Sequence, residues 1–215
     1  MKQVLVYSDS LSWGIIPNTR QRLDFDKRWP GVLENGLRLD ERNVRVVENC
    51  LNGRRVLGED PIKAGRQGLD GLAQTIEIYS PLALVVIMLG NNDFQSMHSY
   101  TVDDVAKGMA AMIETIRTSP IEPSMDIPPI LIVAPPKMLE PKGAMAEKFE
   151  GGVERAQGLT NALQKIALAN GCYFFAAEAV VNASKVDGVH LDEKDHFHLG
   201  RALIDVADAI LEEHK

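Results

Sequence analysis

The sequence predicts an α/β protein, with a central, mostly parallel five-stranded sheet covered by helices on both faces. Apolar runs of strand length alternate with amphipathic segments of helical period, giving the order βαβαβαβαβα. The run ALVVIML (83–89) is apolar without a break, which suits a strand buried on both faces. A length of 215 residues is enough for one domain with a full core, so 1–215 is expected to be a single domain.

Each element has a local justification. QVLVY (3–7) reads as the first strand, and RWPGVLENGLRL (28–39) as a helix that turns Trp29, Val32, Leu33, Gly36 and Leu37 inward. VRVVENC (44–50) is the second strand. GLDGLAQTIEIY (68–79) is helical, with Leu69, Leu72, Ile76 and Tyr79 on one stripe, and 83–89 is the third strand. Thr101 with Asp104 three residues later resembles a capping box, with Asp in place of Glu or Gln. Val102, Val105, Met109, Met112, Ile113 and Ile116 then keep helical spacing. ILIVA (130–134) is the fourth strand, stopped by Pro135 and Pro136. A long helix is expected over 149–170, a fifth strand at CYFFAA and a closing helix over 195–214. The irregular stretches 51–67 and 135–149 are long for a compact domain, and such stretches are more often functional than idle.

Composition narrows the function. The hydrophobic fraction of 45% and charged fraction of 25% are those of an ordinary globular protein. A net charge of -7 gives no electrostatic reason to bind nucleic acid or anionic membranes. The longest apolar stretch, PLALVVIML, is too short for a bilayer, and the first residues lack a signal-peptide core and cleavage site. A cytoplasmic location is the expectation. Cys50 and Cys172 are far apart and form no Cys-x-x-Cys pair, so two buried free thiols are expected rather than a metal site.

In an open parallel sheet, ligands bind beyond the carboxyl ends of the strands. Ser8-Asp9-Ser10 follows the first strand, Leu51-Asn52-Gly53-Arg54 the second and Gly90-Asn91-Asn92-Asp93 the third. The fourth opens into the Pro135-Pro136 loop, and Asp187-Gly188-Val189-His190 comes well after the fifth. This set matches what acyl transfer from an ester needs. A serine hydroxyl needs a base as it attacks, neutral histidine serves near pH 7, and a carboxylate on the far ring nitrogen fixes the tautomer. Asp187 and His190 are close enough for a tight turn to pair them. The amides of Gly53 and Ser10 and the Asn92 side chain could supply donors to an oxyanion.

SDSLSWG resembles the first signature of the GDSL, or SGNH, hydrolases. LNGR resembles their glycine block, GNND their Gly-x-Asn-Asp block and DGVHL their Asp-x-x-His block, in the family order and over nearly the whole chain. The flanks SLSWG, RWP, LNGR and PPILIVAPP further resemble a branch of small bacterial arylesterases and acyltransferases. The resemblance implies a three-layer α/β/α flavodoxin-like fold and a serine esterase with no cofactor and no metal. It carries over Ser10 as nucleophile, Asp187 and His190 as its relay, and Gly53 and Asn92, with the Ser10 amide, as the oxyanion hole. It also implies a small ester as substrate and a homo-oligomeric assembly. The family usually has glycine where this chain has Ser8, whose hydroxyl is expected to cap the following turn or helix.

Each residue has a plainer reading beside this one. Ser10 alone would suit a helix cap, and Ser8 and Ser12 are rival nucleophiles. Asp9 is expected to brace the loop. His196 and His198, two apart on a helix, point to different faces and make a poor metal pair. Trp13, Asn91, His98 and Pro135 are candidate substrate-binding residues. Arg54 and Arg55 could attract an acidic substrate, although solvated arginines are the commoner case. Thioesterase, lysophospholipase and carbohydrate acetylesterase activities would use the same centre with another pocket. The rival from another class is a non-catalytic flavodoxin-like module holding phosphate or a flavin on its serines. It leaves Gly53, Asn92 and the Asp187–His190 pair without a purpose.

Overall fold

The apolar runs assemble into a 5-stranded parallel sheet in the order β2-β1-β3-β4-β5. The strands of this computed structural model, which describes residues 1–39 and 43–214, are β1 (Lys2–Ser8), β2 (Val44–Cys50), β3 (Leu84–Met88), β4 (Ile130–Ala134) and β5 (Tyr173–Ala176). The helices are α1 (Ser10–Trp13), α2 (Trp29–Leu39), α3 (Leu72–Tyr79), α4 (Val102–Arg117), α5 (Ala144–Lys148), α6 (Gly152–Arg155), α7 (Leu159–Ala169) and α8 (Glu193–Glu213).

Strand side chains alternate between two cores. Leu5, Tyr7, Val85, Ile87, Ile130 and Ile132 pack with residues of α3, α4 and α7. Val4, Val6, Leu84, Val86, Leu131 and Val133 pack with residues of α2 and α8. Burial on both faces explains why the inner strands read as unbroken apolar runs. The inward stripe expected of the second helix is buried as read, with Trp29 and Leu37 fully enclosed. The Thr101–Asp104 capping box is formed in both directions.

Three expectations are corrected. The helix expected over 68–79 starts at Leu72, because Gly71 takes a left-handed φ of 70°. The long helix expected over 149–170 is broken into pieces at Gly151 and Gly158, whose φ values of 65° and 91° end a right-handed helix. Cys50 and Cys172 are free thiols as read, but Cys50 is only partly buried.

Register prepares the functional edge. Ser8 at the end of β1 lies opposite both Cys50 on β2 and Met88 on β3. The loops carrying Ser10, Gly53 and Asn92 therefore leave the sheet at one level. They do so beside β1, where the chain order reverses direction and a crevice is expected.

Candidate active site

β1 delivers Ser10 immediately beyond its last residue. Asp9 stops the strand and caps the short helix α1, its Oδ1 accepting from the Leu11 amide at 2.8 Å. This overturns the expected cap by Ser8. The Ser8 hydroxyl instead donates to the Met88 carbonyl on β3 at 2.6 Å and accepts from the Ser12 hydroxyl at 2.6 Å. Ser12 in turn accepts from the Trp29 indole at 3.0 Å. Both rival serines are thus tied into the interior, and a phosphate cradle built from the serines loses two of its hydroxyls.

Ser10 faces the other way. Its Oγ lies 3.2 Å from His190 Nε2, and His190 Nδ1 lies 2.7 Å from Asp187 Oδ2. Asp187 Oδ1 accepts from the amides of Val189 and His190, each at 2.9 Å, in the tight turn that the spacing suggested. Gly188 makes this turn with a φ of 80°. Burial opposes ionisation of Asp187, but hydrogen bonds from the His190 ring and these amides outweigh it and pull its pKa down to about 2. An ionised Asp187 accepts only, so the proton sits on Nδ1, and Nε2 presents its lone pair to the Ser10 hydroxyl.

Gly53 lies in the loop after β2 with a φ of 82°, beside Arg54. Among the described residues, the backbone N–H groups of Ser10 and Gly53 have no acceptor. Asn92 sits on a short 3-10 helix, Asn91–Phe94, just past β3. Both hydrogens of its Nδ2 are engaged, with Asp9 Oδ2 at 2.8 Å and the Arg54 carbonyl at 3.1 Å. Asp9 does brace the loop, as expected; burial is the larger influence and raises its carboxyl to about 6 against these donors.

The remaining candidates divide. Asn91 and Pro135 line a cavity of about 450 Å³ under the 135–138 segment and α7, and neither Ser10 nor His190 lines it. Trp13 is partly buried on α1, with the Arg22 guanidinium 4.8 Å above its ring. His98 stacks on Tyr100, with ring centroids 5.1 Å apart. Arg54 and Arg55 are not solvated: they are 6% and 0% exposed. Arg54 ties Ser8 and Asn49 together through their carbonyls. His196, read only as a poor metal ligand, is fully buried and accepts from the Trp29 amide through Nδ1. Gln95 is fully buried beside Asn92, and nothing in its type or spacing marks it out in the sequence.

This layout is that of a hydrolase with a serine at the head of an α/β sheet. The chain belongs to the GDSL-like lipase/acylhydrolase family, whose model matches residues 9–203. Solved structures agree with the assignment. The native aryl esterase of M. smegmatis is 30% identical, covers 98% of this chain and 100% of its own, and superposes with a TM-score of 0.91. Est24, a carbohydrate acetylesterase from Sinorhizobium meliloti, shows the same 30% identity, the same coverage of 98% and 100% and the same TM-score of 0.91. A carbohydrate acetylesterase family member from Sinorhizobium meliloti is 33% identical over 99% of this chain and 100% of that one, with a TM-score of 0.92. No curated protein matches the chain significantly. Family and neighbours together make the protein a carboxylic ester hydrolase. Among the described residues no helix is long and apolar enough to cross a membrane.

Proposed function

We propose that the protein is a serine esterase that cleaves small carboxylic esters, short-chain or aryl, through an acyl-enzyme. The observation that carries this reading is the unbroken chain Ser10 Oγ, His190 Nε2, His190 Nδ1, Asp187 Oδ2, with contacts of 3.2 and 2.7 Å. Ser10 attacks the ester carbonyl as His190 Nε2 takes its proton, and Asp187 stabilises the imidazolium. The amides of Ser10 and Gly53 then serve as donors to the developing oxyanion. Asn92 joins them by releasing its longer contact, the one to the Arg54 carbonyl. His190 then protonates the leaving alcohol, and water activated by the same ring hydrolyses the acyl-enzyme. An alcohol in place of water would make the step an acyl transfer.

The test is hydrolysis of p-nitrophenyl acetate near neutral pH by the native protein and by Ser10→Ala. A fall of roughly a thousandfold or more in the variant is expected. Equal, slow rates in both would sink the reading, since surface lysines also cleave activated esters. A series of acyl chain lengths then separates a short-chain esterase from a thioesterase or lysophospholipase, and an acetylated sugar tests the activity that the name of Est24 suggests.

A further inference from the structure

We infer that Gln95 and Arg55, which do not face the reacting atoms, are positioning residues that fix which end of the Asn92 carboxamide points into the site. The inference rests on the oxyanion role proposed above for Asn92. Arg55 Nη2 donates to Gln95 Oε1 at 2.7 Å and to Asp60 Oδ2 at 3.1 Å. Gln95 Nε2 donates to Asn92 Oδ1 at 2.6 Å, and Asn92 Nδ2 donates to Asp9 Oδ2 at 2.8 Å. Gln95 and Arg55 are both 0% exposed, and Asn92 only 6%.

A carboxamide is nearly symmetric in shape, and its two ends differ only in what they can hydrogen-bond. In a shielded site its direction must be imposed by its neighbours. A guanidinium has donors only, so Gln95 must turn its oxygen to Arg55. Its nitrogen then falls on Asn92. Asn92 must answer with oxygen, which leaves Nδ2 for Asp9 and for the site. A reversed link would set donor against donor or acceptor against acceptor, leaving buried polar groups unpaired. Arg55 is anchored in its turn by Asp60, which also accepts from the Ile62 and Lys63 amides. Burial opposes its ionisation, but these amides and Arg55 hold the Asp60 carboxyl down at about 2, so the acceptor persists across the working pH range. The polarity of the Asn92 side chain is thus set from a fixed cation on the far side of it.

Gln95→Glu separates positioning from simple packing. It keeps the side-chain shape and gives Arg55 a stronger partner, but it meets Asn92 Oδ1 with an acceptor. On p-nitrophenyl acetate, kcat is expected to fall roughly 30-fold or more, with KM changed less than about threefold and the thermal midpoint retained. Affinity for a boronic acid that forms a tetrahedral adduct on Ser10 should fall in step with kcat. Gln95→Met, which keeps volume without either hydrogen bond, should also lose activity, and it serves if the glutamate variant fails to fold. The loss in Gln95→Glu combined with Asn92→Ala should be no greater than in Asn92→Ala alone. Full additivity, or folded Gln95 variants that keep kcat within about twofold while Asn92→Ala is crippled, would overturn the positioning role and leave the oxyanion reading standing. Native kcat in Asn92→Ala would overturn both, since there would be nothing to position; the esterase reading itself is judged separately by Ser10→Ala.

Discussion

Ser8, Ser10 and Ser12 are chemically alike, and they differ in where each hydroxyl is engaged. Ser8 and Ser12 link the Trp29 indole to the Met88 carbonyl, whereas Ser10 meets His190. Ser8→Ala and Ser12→Ala are therefore expected to lose roughly 1–3 kcal/mol of stability through an unpaired buried group, with kcat nearly native. Urea unfolding beside esterase rates checks this, and a Ser12→Ala variant as inactive as Ser10→Ala would contradict it. Asp187→Asn should show the converse pattern. An amide there cannot stabilise the imidazolium and favours the wrong tautomer, so kcat should fall by about 10²–10⁴ while the fold persists. The triad candidates are legible in the sequence because the chemistry demands those residue types beyond strand ends, and the Asp187–His190 spacing limits the partner. Gln95 and Arg55 are silent there: a glutamine or arginine acquires a direction only from its neighbours in space. For the same reason Arg54 and Arg55 look like surface cations in the sequence and are buried braces in the fold.

At the scale of the element, the turn from Asp187 to His190 couples folding to the site. Its carbonyls hold the neighbouring loop, with Leu139 N donating to the Gly188 carbonyl at 2.8 Å and Lys142 N to that of Asp187 at 3.0 Å. A Cβ on Gly188 would lie 2.4 Å from the Glu140 carbonyl oxygen, on a residue whose φ is already +80°. Gly188→Ala must therefore push the two loops apart and displace Asp187 and His190 together. A loss of at least tenfold in kcat is expected, with a lower thermal midpoint. Native activity in this variant would show that the turn tolerates movement. Thr101→Ala is the contrasting case. It removes one side of the capping box on α4, far in sequence from the triad, and should cost about 1 kcal/mol with kcat unchanged. Strands and capped helices are legible because period and cap residues act locally. The interruption of 149–170 is not, since its apolar spacing continues through Gly151 and Gly158 and only their left-handed backbone reveals the breaks.

At the scale of the whole molecule, buried ionisable groups on both sides of the sheet act on stability with opposite signs. Asp9 and Asp93 lie beside the site; burial raises them to about 6 and about 7, against the donors that bind them. Each retains a proton in the native state that the unfolded chain gives up near 3.8, so both make stability rise as pH falls from about 7 towards 4. His196 does the reverse. It is enclosed between α8 and the start of α2; burial first, and then the charges of His190 and Arg28, lower it from 6.5 to about 3. Between those values the unfolded chain binds a proton that the native protein refuses, so stability falls with pH below 6.5 and the loss levels off near 3. One such group gives a slope of at most about 1.4 kcal/mol per pH unit. In His196→Asn, the side-chain oxygen can still accept from the Trp29 amide, and the titration is gone. Whatever the substitution costs at pH 7, the variant should gain on the native protein as pH is lowered, by roughly 2.5 kcal/mol two units below the unfolded pKa. Urea midpoints of both proteins between pH 7 and 4.5 read this directly. Parallel curves would mean that His196 takes up its proton as readily in the native protein as in the unfolded chain, and that the contact between α2 and α8 accommodates the charge.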